Sequence, residues 1–377
     1  MRLEEICTVF TDGDWIESKD QSDDGIRLVQ TGNIGEGIYL EKEARAKYIS
    51  EETFEKLKCT EIFPGDILVS RLPDPVGRAC IIPEKEERMI TAVDCTICRP
   101  NESIISKEYL CYFMRSSAYY KRLLGSVTGT TRKRISRKNL GNVELEVPSK
   151  ERQMDVVEQL DCLVKVIESR KQELQLLDNL IKARFVEMFG EGLVDDGRFP
   201  LLPISDIGRV VSGATPKTGN ADYWEGNNIW ITPAELSEKS FVIYDSIRKI
   251  TDEGVRSCAA NLLPIGTVIL SSRAPIGKVA IVGTPMYCNQ GFKNIIPNKK
   301  INSTYLYELL SMQTGYLNSL GRGATFKEIS KQIVENIKVK VPPMELQNEF
   351  ADFVNQVDKS KFVLQKKFQI IHYSDII

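Results

Sequence analysis

The chain contains one long segment twice, and that repetition limits its possible folds more than any other feature. The stretch GTTRKRISRKNLGNVELEVPSKERQ (129–153) returns as GATFKEISKQIVENIKVKVPPMELQ (323–347). Gly129 aligns with Gly323, Ile135 with Ile329, Val147-Pro148 with Val341-Pro342 and Gln153 with Gln347, without a gap. An upstream echo sets Asp66-Ile67-Leu68-Val69-Ser70-Arg71 and Pro75-Val76-Gly77-Arg78 beside Val268-Ile269-Leu270-Ser271-Ser272-Arg273 and Pro275-Ile276-Gly277-Lys278. A period of roughly two hundred residues is far longer than the ~20–50 residues of a solenoid unit. The pattern is that of a duplicated domain, each copy followed by a helix.

The helices declare themselves by a change of period. After Val143, Leu145 and Val147 the alternation stops at Pro148, Ser149 offers an N-cap, and no Gly or Pro follows until Gly190. Leu160, Ile167, Leu174, Ile181 and Met188 recur every seven residues along this stretch. A helix over 150–189 is about 58 Å long at 1.5 Å per residue, and a seam sustained at that period needs a partner helix. The stretch after Pro342-Pro343 supplies one, with Phe350, Val357, Leu364 and Ile371 in one seam position and Leu346 and Phe353 in the other. Each helix leaves its own copy, so seams that meet within one chain must run antiparallel. The alternative pairing is between molecules. The expected fold is α+β: two duplicated heads, 1–148 and 191–341, joined by a pseudo-two-fold, antiparallel two-helix coiled coil made of 149–190 and 342–377.

The near-neutral net charge of −2 hides segregation. Tyr109–Val143 holds no acid but carries Arg115, Lys121, Arg122, Arg132, Lys133, Arg134, Arg137 and Lys138. Gly254–Tyr307 is also acid-free, with Arg256, Arg273, Lys278, Lys293, Lys299 and Lys300. Basic stretches in matching halves of an otherwise balanced chain point to phosphate-backbone surfaces, against the plainer reading of solvated basic faces. No apolar run reaches the length needed to cross a bilayer, Met1-Arg2-Leu3-Glu4-Glu5 is not a secretory n-region, and the nine cysteines are odd in number and scattered. The expectation is a cytoplasmic protein with reduced thiols.

Within each head, short apolar runs bounded by Gly and Pro read as strands (Asp66–Ser70, Arg78–Ile82, Thr267–Ser271, Val279–Val282), and Ser106–Arg122 and Ser303–Leu320 carry helical spacing. Thr130, Arg132, Lys133 and Arg134 in one copy, and Thr325 and Lys327 in the other, place small hydroxyls and cations where backbone and side chains can meet phosphates or base edges. Thr31 and Asn33 in the first head and Thr232 in the second occupy similar early positions and can make base-edge hydrogen bonds. Arg71 and Arg273 follow strands and precede Pro-Gly turns, with Arg78 and Lys278 just beyond. That placement suits a groove-facing cation or one that pins its own loop. Gln290 suits a bidentate contact to adenine or a turn hydrogen bond. Trp224 and Trp230 read as core.

These residues resemble a known family. Val69-Ser70-Arg71 with Val76-Gly77-Arg78, Ser272-Arg273 with Ile276-Gly277-Lys278, Cys288-Asn289-Gln290-Gly291-Phe292, both Gly-x-Thr…Ile…Val-Pro…Gln blocks and the helix ending Phe185-Val186-Glu187-Met188-Phe189-Gly190 are similar to the specificity subunit of type I restriction-modification systems. The resemblance rests on the duplicated order of motifs across essentially the whole chain. It implies two target-recognition domains, each reading one half of a split, asymmetric site in double-stranded DNA. It also implies two copies of an adenine methyltransferase subunit held on the helices, with S-adenosylmethionine bound by those subunits and no cofactor in this chain. Endonuclease/translocase subunits would join for restriction. The C-terminal helix reaches Ser374-Asp375-Ile376-Ile377 without a counterpart of the Met-Phe-Gly ending, so the start of the central helix is expected to lack part of its partner.

Catalysis finds no footing in the residues. No Asn/Asp-Pro-Pro-Tyr/Phe loop, Gly-rich nucleotide fingerprint or complete phosphate-binding loop occurs, and the single histidine is His372. Cys95-x-x-Cys98 stands alone, without the second pair a zinc finger needs, so no metal site is expected. The rival readings are a self-contained DNA-modifying enzyme with a degenerate site and a coiled-coil scaffold that never touches DNA.

Overall fold

The computed structural model describes residues 1–129, 133–237, 241–273, 275–323 and 327–369, with residues 367–369 described by backbone alone. It divides into two compact units, one of residues 1–170 with the last described residues of the C-terminal helix, the other of residues 171–365. Of the sequence candidates, Thr130, Arg132, Thr325 and Ile371, with His372, lie outside the described residues.

Both units repeat one strand order. In the first, Cys7–Asp12, Cys95–Pro100, Ile67–Ser70 and Ala79–Ile81 lie side by side as an antiparallel sheet. In the second, Gly208–Ser212, Phe292–Pro297, Val268–Ser271 and Val279–Val282 do the same, and Val242–Ile243 adds an edge. A further sheet in each unit contains a parallel pair, Ile26–Val29 with Met89–Thr91 and Trp224–Ile231 with Tyr287–Cys288.

The central strands are apolar throughout because both faces are covered. Ile67 and Val69 face a core with Leu110, Phe113, Tyr119 and Leu123, while Leu68 faces a separate cluster with Val29 and Ile97. Val268 and Leu270 face the helical core with Tyr305, Leu306 and Leu309, and Ile269 turns to Ile231 and Phe292.

These faces correct the upstream alignment by one residue. Ile67 matches Val268, so Ser70 matches Ser271 and Arg71 matches Ser272, not Arg273. The backbone agrees: Arg71 N–H donates to Asp94 O and Arg71 O accepts from Ile135, as Ser272 N–H donates to Gly291 O and Ser272 O accepts from Ile329. A one-residue slip sends every side chain to the opposite face. It is recovered in the loop, because Gly77 and Gly277 both take positive φ (92° and 94°) where their N–H groups reach back to Ser70 O and Ser271 O.

The helical stretches expected over Ser106–Arg122 and Ser303–Leu320 are each two helices. Lys107–Phe113 is followed by Ser117–Leu124, and Ser303–Ser311 by Thr314–Ser319. In the first unit Ser116 restarts the helix by accepting from Tyr119 N–H. Short helices begin after Ser136 and Ser330, each serine capping the N–H three residues on.

The long helices start alike. Gln153 is fully buried, donates to Ile104 O (2.9 Å) and Pro148 O (3.0 Å), and accepts from Ser106 N–H (2.8 Å). Gln347, equally buried, donates to Lys300 O (3.1 Å) and Pro342 O (2.7 Å), and accepts from Asn302 N–H (2.8 Å). The central helix runs Lys150–Phe189, and the C-terminal helix is described over Met344–Gln369.

Within the second unit the end of the central helix and the start of the C-terminal helix pack antiparallel. Arg184 pairs with Glu349 (3.0 Å) and Asp178 with Lys361 (2.7 Å), one number falling as the other rises. Leu160, Ile181, Phe350, Val357 and Leu364 of the expected seams are buried, but Ile167, Leu174, Met188, Leu346 and Phe353 are only half-buried. Phe185, Phe189 and Val354 take their place. A straight helix drifts about 20° per heptad from a strict 3.5 repeat, and the last turns dock on a globular core rather than on a partner helix alone. Phe185 stacks on Tyr305 at 5.5 Å, and Phe189 meets the same ring edge-on at 4.8 Å. Lys340, 1 % exposed, closes the helix end by donating to Phe189 O (3.1 Å) and Asp196 (2.9 Å).

Gln347→Ala leaves the Asn302 N–H and two carbonyls without their partner, and should cost about 2–3 kcal/mol in denaturant unfolding of the chain. Glu308, buried on the helix Ser303–Ser311, faces Lys361, Asp358, Lys182 and Asp178; burial pushes its carboxyl up to about 7, with Lys361 opposing. The folded form keeps a proton that the unfolded chain releases near 4.5, so stability falls as pH rises from there toward 7. Glu308→Gln should therefore stabilise the chain by about 2 kcal/mol at pH 8 and change it little at pH 5, as read by thermal melts at both pH values.

Candidate nucleic-acid interface

In each unit a set of loops lies together at one end of the sheets. In the first unit, Asp12 ends one strand, Arg71–Gly77 follows another, Ala92–Asp94 links two more, and the segments 30–34 and 133–137 close in from the sides. Arg78 ties them together. It is 9 % exposed, and its guanidinium donates to Ile34 O (2.7 Å), Thr31 O (2.8 Å), Leu72 O (2.9 Å) and Pro75 O (3.2 Å). Lys278 does the same work in the second unit through a single bond to Leu236 O, the counterpart of Ile34 O.

Several candidates are buried or half-buried and bonded within their own loops. Arg71 is 5 % exposed, donates to Val93 O (2.5 Å) and lies at ion-pair distance, 3.5 Å, from Asp12. Burial pushes its pKa down and Asp12 opposes that shift. Asn33 is buried, accepting from Gln30 N–H and donating to Leu40 O. Thr232 is half-buried, and its hydroxyl donates to Glu235 in a capping box. Thr31 is half-buried with its carbonyl taken by Arg78. Lys293, 6 % exposed, reaches Glu328 (3.3 Å) and Ser272 Oγ (3.4 Å). Cys95 and Cys98 are buried core residues of one strand, and burial pushes the Cys95 thiol up to about 12.

The exposed cations at these ends are a shorter set. Lys133, Arg134 and Arg137 are exposed in the first unit; Arg134 pairs with Asp94 (2.9 Å), and Arg137 lies 3.8 Å from Asp12. Arg273, Arg322 and Lys327 are exposed in the second. Arg273 pairs with Glu328 (3.1 Å). Glu328 is partly desolvated, which would raise its carboxyl, but hydrogen bonds from Lys293 and Arg273 hold it below the usual range. Gln290 is exposed and bonded to Thr215. These are exposed cationic and polar groups on a frame of buried ones.

Sequence reasoning missed Thr215 and the acids Asp12, Asp94 and Glu328 that orient the cations. It also missed the Trp224–Trp230 pair as a support. Their rings meet edge-on at 5.0 Å under Arg248, whose guanidinium stands 3.7 Å from the Trp224 ring. Two tryptophans six positions apart behind the loop Gly213-Ala214-Thr215-Pro216 were the available signal.

The division between support and surface is measurable. Arg78→Ala should cost about 2–4 kcal/mol of stability through orphaned carbonyls, whereas Lys133→Ala should stay within about 0.5 kcal/mol of wild type in the same unfolding experiment.

The family model for the type I restriction modification DNA specificity domain matches residues 1–179 and again 201–371. The MjaIX type I restriction enzyme specificity subunit of Methanocaldococcus jannaschii is 37% identical over 186 residues, 48% of this chain and 43% of that protein. The match therefore spans less than half of that relative's length. The HindI specificity subunit of Haemophilus influenzae is 20% identical across 75% of this chain and 78% of its own. Two solved structures share the fold. One, from work on complex assembly and conformational transition of the type I R-M system, has a TM-score of 0.64 at 17% identity and covers 100% of this chain and 93% of that one. The other, the S subunit of a type I system from M. genitalium, has a TM-score of 0.54 at 14% identity and covers 98% and 91%. Matched twice along its length by one family model, and carrying two copies of one strand order, the chain belongs to the type I restriction-modification DNA specificity family.

Proposed function

We propose that this chain is the DNA-specificity subunit of a type I system, each unit reading one half of a bipartite, asymmetric site in double-stranded DNA. The observation that carries this reading is the repeated end: in both units matching loops, tied by a cation at matched positions (Arg78 and Lys278), present exposed cations and a few polar side chains. Phosphate contacts by Lys133, Arg134, Arg273 and Lys327 would position each unit, and polar groups on the rim would specify bases.

The chain itself is non-catalytic in this reading. Two adenine methyltransferase subunits, bringing S-adenosylmethionine, dock on the long helices and modify an adenine that must be taken out of the stack. Endonuclease/translocase subunits join when the complex restricts DNA. The long helices set the separation of the half-sites, as the geometry of a dimer sets operator spacing.

The decisive experiment reads methylated DNA by single-molecule sequencing from a host with and without the chain. A split motif that vanishes with the chain supports the proposal; an unchanged methylome refutes it. Inserting one heptad in register into both helices adds about 10.5 Å, and should widen the gap between half-sites by about three base pairs at 3.4 Å each while the bases read stay the same. A fixed gap would rule out the helices as the ruler. In the assembled complex, Lys133→Ala should lower the slope of log affinity against log salt by about one, measured by DNA titration at several salt concentrations.

A further inference from the structure

Gln290 is an exposed side chain held in one orientation from two sides. It sits in the turn between strands Tyr287–Cys288 and Phe292–Pro297. That turn is fixed: Asn289 N–H donates to Ile231 O (3.0 Å), Gly291 N–H to Asn289 Oδ1 (2.9 Å), and Ser272 gives both its N–H (2.8 Å) and its hydroxyl (3.0 Å) to Gly291 O. The amide oxygen of Gln290 accepts the proton of the Thr215 hydroxyl. Thr215 lies on a loop that is tied down in turn. Trp230 Nε1 donates to Ala214 O (2.9 Å) and Trp224 Nε1 to Lys217 O (3.3 Å), and both indoles are buried.

Immobilising a long exposed amide costs rotamer entropy that one solvent-exposed hydrogen bond does little to offset. A polar pair fixed on a rigid frame, at the end where the exposed cations gather, has the form of a preorganised recognition site. Its chemistry is defined. With the Thr215 proton committed to Gln290 Oε1, the pair offers the outside an acceptor, Thr215 Oγ, beside donors, the two N–H groups of Gln290 Nε2. In the major groove adenine alone sets a donor (N6–H) next to an acceptor (N7); guanine shows two acceptors, cytosine a lone donor, and thymine an acceptor with a methyl group.

We propose that Thr215 and Gln290 act together to read the adenine of one A·T pair in the half-site bound by the second unit. Gln290 Nε2–H donates to N7, and Thr215 Oγ accepts from N6–H. Guanine is refused because its O6 lone pairs would face those of Thr215. The first unit holds Trp15 and Val93 at the matched positions, since Asp14 N–H donates to Thr91 O as Ala214 N–H donates to Cys288 O. The effect is therefore confined to one half-site. This inference rests on the DNA-specificity reading.

The test is a methylome measured in the native host, with the chain deleted and restored as wild type, Gln290→Ala, Gln290→Glu or Thr215→Val, each checked for folding by its melting temperature. Each variant should relax a single position of one half-site, an A·T pair in the wild-type motif, with the other half-site unchanged. Thr215→Val should bring a preference for A·T over G·C of about tenfold or more to within about twofold. Gln290→Glu keeps the size and the Thr215 hydrogen bond but loses the donor, so it stands in if the alanine variant does not fold. Variants that fold and leave the motif unchanged, or that relax a G·C position, overturn the inference and leave the function reading intact. If restoring wild type marks no split site, the function reading itself fails and takes this inference with it.

Discussion

A buried glutamine amide in the first turn of each long helix fixes the direction in which that helix leaves its sheets. Gln153 and Gln347 each bind two carbonyls and one N–H from separate segments. A fully satisfied buried amide is highly directional, since any rotation of the helix breaks a bond that water cannot replace. The lever is long: over about 58 Å of central helix, a tilt of about 10° at the start displaces the far end by about 10 Å. Apolar packing around Leu110 or Leu306 supplies cohesion but little angular precision. The amides supply the angle.

Much of the architecture was legible because punctuation and period are local properties. Pro148, Pro343 and Gly190 bracket the helices, and the aligned repeats carry the duplicated topology. The placement of individual side chains was less legible. Arg71 and Arg273 look equivalent by residue type, yet the strand register pairs Arg71 with Ser272, and a one-residue difference in the following loop restores the match at Gly77 and Gly277. Burial separates them further: Arg71 supports its own loop and Arg273 lies outside. Nothing in a basic residue's identity says which of these it does. The heptad pattern held at Leu160, Ile181, Phe350, Val357 and Leu364 but not at its other described positions, for a related reason. Met188 fits a strict seven-residue repeat, but Phe185 and Phe189 fit the real helix and the tyrosine it packs on.

The duplication stops at the surface. Arg134 and Glu328 occupy the same place in the repeat with opposite charge, and each is neutralised locally, by Asp94 in one unit and by Lys293 with Arg273 in the other. Arg78 and Lys278 meet matched carbonyls with different numbers of bonds. One frame thus carries two unlike rims, which suits the recognition of two unlike half-sites. The supports keep their function across the copies even where their chemistry changes.

The Lys340 ammonium is held by Phe189 O at the end of the central helix and by Asp196 in the loop beyond it. The helix end, the loop just after it and a strand far along the chain thereby form one socket around a single buried charge. A second unit transplanted from a relative would have to bring all three stretches together. A splice made between 196 and 340 would part the buried cation from its carboxylate, so the workable seams for exchanging specificity lie outside that span, within the long helices.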